Sequence, residues 1–314
     1  MTNTTLTTSI PPSREEAIEL TRNFLPTMST TPTFGITGAT GQLGRKVIAS
    51  LSGRVAQQQI AAIVRDPAKA TDLGVAARQG DYADRQGLEK AFAGLDSLLL
   101  ISSSSLGTRQ AEHENVIRAA QRAGVRRIVY TSLLHADRWG IAFAEDHLAT
   151  ERWLQSSGLD FTILRNGWYW ENHTAGLAQA LEHGGLVGGA GEARISWASR
   201  QDYANAAVAV LTQPDHAGKT YELAGDTAHS LQELAAETAR QSGREFGYRN
   251  LQEAEHAAFL ASVGLPPPLA AVLAEIDCRG IAKGVLAGQD RTLSALIGRP
   301  TTSLPTAVAA ALNQ

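Results

Sequence analysis

Cysteine is almost missing from this chain. Cys278 stands alone among 314 residues, which excludes an intrachain disulfide and a cysteine-based metal cluster. It reads as a small, partly buried side chain, and the composition fits a reducing, cytosolic compartment. Unbalanced charge is missing too. Lys and Arg number 28 against 31 Asp and Glu, and the net charge is -3. That balance offers no electrostatic attraction to nucleic acid or to an anionic membrane. No apolar stretch reaches the roughly 20 residues of a spanning helix. No His/Asp/Glu grouping has metal-ligand spacing, so no metal is expected, and no G-x-S-x-G elbow marks a serine nucleophile.

What is present is a core-forming composition, with 43% hydrophobic residues, and one informative loop. The segment Phe34-Gly35-Ile36-Thr37-Gly38-Ala39-Thr40-Gly41-Gln42-Leu43-Gly44 sets three glycines at G-x-x-G-x-x-G spacing. An apolar run precedes it, and the amphipathic pattern Leu43, Val47, Ile48, Leu51 follows it. A dinucleotide pyrophosphate needs glycines at these places. Gly38 permits a tight turn, Gly41 lets the backbone approach the phosphates, and Gly44 lets the helix pack closely on the sheet. The helix N-terminal amides then face the negative charge. Ala39, Thr40, Gln42 and Leu43 belong to the same cofactor loop.

A buried run, Ile60-Ala61-Ala62-Ile63-Val64, ends in Arg65. Arg65 lies about 20 residues beyond Gly44, where such folds contact the adenosine ribose. A carboxylate there would favour NAD. An arginine offers a fork of donors to a 2′-phosphate, so the pattern favours NADPH.

Strand and helix signals keep alternating as far as Arg165. Val75–Tyr82, Leu98–Ile101, Arg127–Ser132 and Phe161–Arg165 read as strands, and Arg85–Ala93, Arg109–Ala123 and Glu145–Ser156 as helices. This predicts an α/β fold, a Rossmann-type doubly wound parallel sheet. Beyond about Asn172 the alternation fails, and Tyr221–Ala224 and a helix capped by Ser230 are the clearest signals. The expected organisation is a Pro- and Thr-rich, poorly ordered extension over 1–32, carrying a helical turn or two from Ser13. A cofactor core over 33–172 and a smaller, mostly helical lobe over 173–314 follow, with strands returning to the core. In such sheets ligands lie beyond the carboxyl ends of the strands. Asp81, Tyr82, Ser102, Ser103 and Ser104 should therefore line the cofactor crevice.

Two further features bear on chemistry. The Tyr-x-x-x-Lys pair of ordinary short-chain dehydrogenases is absent, since Leu134 follows Tyr130 and Ala207 follows Tyr203 at that spacing. Gly167-Trp168-Tyr169-Trp170-Glu171-Asn172 clusters three aromatics after a strand. Gly167 would permit close backbone approach, and Tyr169 and Asn172 would bond the nicotinamide end. Trp168 and Tyr169 would offer flat faces to a planar substrate, while Trp170 fills the junction between lobes.

The motifs Ile36–Gly44, Ala62–Arg65, Leu98–Ser104, Tyr130–Asp137 and Leu164–Tyr169, in this order, resemble the NAD(P)H:quinone oxidoreductases of type 2. These belong to the NmrA-like atypical short-chain dehydrogenases. The resemblance runs from about residue 34 to the C-terminus. It implies NADPH as cofactor, a small planar quinone as substrate, two-electron reduction and a cytoplasmic enzyme, and it leaves a homodimer open. A quinone accepts hydride without a strong acid, which agrees with the missing tyrosine–lysine pair. Related reductases carry a lysine on the helix after the Thr-Ser strand, and His147 stands there in this chain. Phe143, His147, Thr150 and Leu154 share one helix face, so His147 is the candidate catalytic group or an inward structural histidine. His135, near Asp137, reads as a loop-ordering residue. The alternatives are an NmrA-like NADPH-binding redox sensor without catalysis and a triphenylmethane-dye reductase.

Overall fold

A computed structural model describes residues 33–288 and 290–313. The expected N-terminal extension over 1–32 and its helix lie outside the described residues. The first half alternates β1 (Phe34–Thr37), α1 (Gln42–Ser52), β2 (Ile60–Val64), β3 (Ala76–Gln79), α2 (Arg85–Phe92), β4 (Ser97–Leu100), α3 (Arg109–Arg122), β5 (Arg127–Leu133), α4 (Ala142–Ser156) and β6 (Asp160–Asn166). The second half runs α5 (Glu171–Thr174), α6 (Leu177–Glu182), β7 (Gly185–Gly188), α7 (Arg200–Thr212), β8 (Lys219–Leu223), α8 (Leu231–Ser242) and β9 (Gly247–Asn250). It closes with α9 (Glu253–Ser262), α10 (Pro267–Glu275), α11 (Thr292–Ile297) and α12 (Leu304–Leu312).

Seven parallel strands form the main sheet in the order β3-β2-β1-β4-β5-β6-β8. Its inner strands are apolar throughout because helices cover both faces. All of Ile60–Val64 and all of Ser97–Leu100 are buried. One face packs Val47, Ile48 and Leu51 of α1 with Val208 and Leu211 of α7. The other packs Leu88, Phe92, Val116 and Leu154 of α2, α3 and α4. The chain order reverses between β1 and β4, and this switch point opens a crevice outside the strand ends.

The second half does more than cover this core. α7 returns to lie on α1, and its Gln201 and Asn205 hydrogen-bond with Ser50. β8 completes the main sheet beside β6. β7 and β9 pair as a separate two-stranded sheet. Trp139, Trp170 and Trp197 anchor a further apolar cluster with Leu231, Ile276 and Val308. Trp170 stacks on Trp197 at 4.7 Å between centroids, and its indole N–H donates to the Thr302 carbonyl at 2.9 Å. Capping places several of these helices. Ser230 Oγ accepts from the Glu233 amide at 3.1 Å, a reciprocal cap that sets the start of α8. α4 begins three residues earlier than its sequence pattern suggests, which brings Phe143 into its first turn. Among the described residues no helix is long and apolar enough to cross a membrane.

Candidate active site

The site begins where β1 stops. The Thr37 hydroxyl donates to the Leu99 carbonyl and accepts from the Ile101 amide, both at 3.0 Å, locking the ends of β1 and β4 together. Gly38 then turns the chain at φ 59°, a conformation that glycine adopts without steric cost. The Gly41 amide donates to the Gly38 carbonyl at 2.9 Å, and Gly41 itself starts α1 with no side-chain cap. A Cβ on Gly44 would collide with the Gly38 carbonyl and lie 2.7 Å from Ala39 Cα. The first-turn amides of α1 are therefore held at the sheet edge with no side chain to satisfy them, an arrangement suited to an anion.

A groove of about 600 Å³ runs from this helix end across the sheet edge. Gly38, Thr40, Gly41, Gln42, Leu43, Arg65, Asp81 and Tyr82 line it, together with Ser102, Ser103 and Ser104. Arg65 is exposed at the end of β2, at the groove's far rim. Ala39 is the exception among the expected loop residues. It is fully buried, because close packing of α1 turns its methyl into the core. Two of the expected polar groups are also internally engaged. Tyr82 Oη bonds to Thr37 Oγ1 and to the Ile101 carbonyl, and Ser103 Oγ donates to Glu112.

A second cavity of about 290 Å³ shares Leu43, Ile101 and Ser102–Ser104 with the groove. Its remaining walls include Arg109, Phe143, His147, Trp168, Tyr169 and Asn172. Gly167 lines it too, and its missing side chain serves the protein's own packing. A Cβ there would lie 2.9 Å from Tyr203 Oη and 3.0 Å from the Leu223 carbonyl, so glycine is needed for β6 to sit against β8.

Three site residues gave no sequence signal of their own. Arg200, at the start of α7, lies over the Tyr169 ring at 4.8 Å and donates to Asn172 Oδ1 at 2.8 Å. Its Nη1 is buried without a hydrogen-bond partner among the described residues. Arg109, only 5% exposed, bonds the Ser103 carbonyl at 2.8 Å and Asp146 at 3.3 Å, and it lies 5.1 Å over the Phe143 ring. Glu112 accepts from Thr108 Oγ1 at 2.9 Å and orders the serine loop. Arg200 is the first residue of a helix that returns to the core, and only that placement marks it.

Behind the second cavity lies a row of buried polar rings. His113 and His147 are 0% and 5% exposed, and Tyr130 is fully buried. The Ser103 amide donates to His113 Nε2 at 2.9 Å, so the His113 proton sits on Nδ1, 2.8 Å from Thr150 Oγ1. Tyr130 Oη is 2.8 Å from His147 Nδ1. Burial, with help from the Arg109 charge, brings His113 down to about 3. Burial drives His147 well below the usual imidazole range, and Arg109 and His113 act in the same direction. Both rings are neutral at physiological pH. His135 takes a left-handed backbone at φ 49° and bonds the Val285 carbonyl at 2.8 Å, so it orders the loop after β5. Arg165 ties β6 to α4 and β8 through Glu151 and Glu222, each at 2.7 Å.

The NAD(P)H-binding family model matches residues 38–214, and this chain belongs to that family. Quinone oxidoreductase 2 of Escherichia coli (strain K12) is 52% identical over 281 residues, covering 88% of this chain and 98% of that protein. The crystal structure of the Escherichia coli NADPH-dependent quinone oxidoreductase complexed with NADPH superposes with a TM-score of 0.86, covering 89% of this chain and 100% of that chain at 52% identity. The Citrobacter sp. triphenylmethane reductase complexed with NADP(H) gives a TM-score of 0.85 at 37% identity, with coverage of 88% and 99%.

The buried histidines predict how stability depends on pH. In the unfolded chain both rings protonate below about pH 6.5, whereas the folded chain holds them neutral, so stability falls as pH drops through that value. Asp277, pushed up to about 6 by burial, acts in the opposite sense below pH 6. His173, brought down to about 4 by burial, acts in the same sense as the other two rings, and between pH 7.5 and 5.5 the urea unfolding free energy should fall by about 3 kcal/mol net. His113→Gln should reduce that fall. An unfolding free energy that stays level or rises on acidification would contradict the neutral-ring assignment.

Proposed function

We propose that this chain is an NADPH-dependent quinone reductase that passes a hydride to a small planar quinone. The observation that carries this reading is the near end-to-end match, at 52% identity, to quinone oxidoreductase 2, joined to a groove and an adjoining flat-walled cavity in this structure. The groove fits the cofactor chemically. It offers uncapped helix amides, a glycine backbone where a phosphate must approach, and an arginine at the ribose end.

In this reading the amides of Gln42 and Leu43 and the Thr40 segment hold the pyrophosphate. Arg65 takes the 2′-phosphate and sets the preference for NADPH. Tyr169 and Asn172, braced by Arg200, hold the nicotinamide end. Bound NADPH supplies the hydride. Trp168 and Phe143 sandwich the acceptor ring and exclude water, and His147 faces an acceptor oxygen. Two electrons and one proton arrive together as hydride, and a second proton from water completes the hydroquinone. Arg109 adds positive charge beside the cavity as negative charge develops on the acceptor oxygen. Alignment supplies most of the rate, since a quinone is already electrophilic.

Purified protein should oxidise NADPH rapidly with a simple benzoquinone and hardly at all without it. Tight NADPH binding with no quinone-dependent oxidation would instead favour a redox sensor. Arg65→Ala should raise the KM for NADPH about tenfold to a hundredfold while leaving NADH nearly unchanged, the cost of one lost charge-assisted contact. Equal losses with both cofactors would contradict the role given to Arg65.

A further inference from the structure

The second cavity contains one imidazole, and the partner of that imidazole is a buried tyrosine that the reaction does not otherwise use. Tyr130 projects from β5 and His147 from α4, and their polar atoms meet at 2.8 Å. The phenol keeps its hydrogen, because full burial raises Tyr130 above its ordinary range. The Thr150 hydroxyl gives its hydrogen to the Asp146 carbonyl at 2.9 Å and is not a donor to the phenol. Among the described residues His147 Nδ1 is the one hydrogen-bond partner of the Tyr130 hydroxyl, so the buried phenol hydrogen goes there rather than staying unpaired. A neutral imidazole carries one proton, so an Nδ1 that accepts requires the proton on Nε2. The charged groups facing this ring are few. Arg109 and His113 of α3 both disfavour an imidazolium. Asp146, beside His147 on α4, is engaged by Arg109 and Gln110. The Phe143 ring stands edge-on at 5.4 Å and restrains the imidazole plane.

We propose that Tyr130 is a positioning residue that fixes His147 as its Nε2-protonated neutral tautomer, so that His147 presents an N–H hydrogen bond to the oxygen of the bound acceptor. A neutral imidazole polarises a carbonyl as a donor without giving up its proton. The hydrogen bond strengthens as the quinone oxygen gains negative charge during hydride transfer. The proton that completes the hydroquinone comes from water, and the His147 N–H is retained throughout. This inference rests on the quinone-reductase reading for the identity of the acceptor. The tautomer itself stands independently of that reading.

The direct test is the ¹⁵N NMR tautomer of His147 in the intact protein at pH 7.5. Wild type should show a protonated Nε2 and a bare Nδ1. In Tyr130→Phe the ring should move towards the Nδ1-protonated form, with the fold retained. The same variant should lose about threefold to tenfold in kcat with benzoquinone, the effect of one misplaced hydrogen bond, while KM for NADPH stays unchanged. His147→Gln, which keeps a donor, should retain more activity than His147→Leu. A protonated Nδ1 or an imidazolium in wild type would overturn the proposal, as would a tautomer unmoved in Tyr130→Phe. Should Tyr130→Phe fail to fold, the wild-type tautomer alone decides. Failure of quinone reduction in wild type would remove the acceptor assignment and leave the tautomer result readable.

Discussion

The structure depends on how closely α1 approaches the end of β1. Gly44 has no room for a Cβ above Ala39, and Gly38 turns at a positive φ that brings the chain back beneath it. Together they hold the uncapped first turn of α1 at the carboxyl edge of the sheet, at the switch point between β1 and β4. Everything else in the site is placed relative to that edge. The Thr37 hydroxyl fixes β4 against β1, and the serine loop after β4 then forms the wall between groove and cavity. α7 stacks on α1 and delivers Arg200 to the same edge.

The two halves of the site use different physics. The cofactor end is backbone amides, glycines and an exposed arginine, all open to solvent, and its contribution is mainly electrostatic. The acceptor end is buried and made of rings. Phe143, Trp168 and Tyr169 form walls, and behind them Tyr130, His113 and His147 keep their polar atoms paired. Such a network is costly unless fully satisfied, and where it is satisfied it orients its members rigidly. A rigid, ring-lined pocket is what an electrophilic acceptor requires, since orientation rather than proton delivery limits the step.

Much of this was legible in the sequence, for identifiable reasons. The glycine loop is legible because only glycine fits at Gly38 and Gly44. The inner strands are legible because burial on both faces demands unbroken apolar runs such as Ile60–Val64 and Leu98–Leu100. Arg65 follows from its distance along the chain. What escaped notice depended on tertiary contacts. α7 covers the main sheet, yet it follows a long segment without regular alternation, whereas the strand at Tyr221–Ala224 and its return to the core were legible. Arg200 and Arg109 carry no signal of their own in the sequence; the fold turns one over Tyr169 and buries the other over Phe143. Gly167 was legible as a constrained position, and Tyr203 with the Leu223 carbonyl is a constraint that only the fold reveals. Ala39 lies in the middle of the loop, and its methyl still belongs to the core.

The central claim is that groove and cavity together align a nicotinamide with a quinone for direct hydride transfer. Single-turnover oxidation of NADPH deuterated at the transferred position, followed in rapid mixing with saturating benzoquinone, tests it most directly. The account predicts a primary isotope effect on the quinone-dependent phase and none on the binding phase. An identical rate with both isotopologues, when mixing and binding are faster than oxidation, would contradict it.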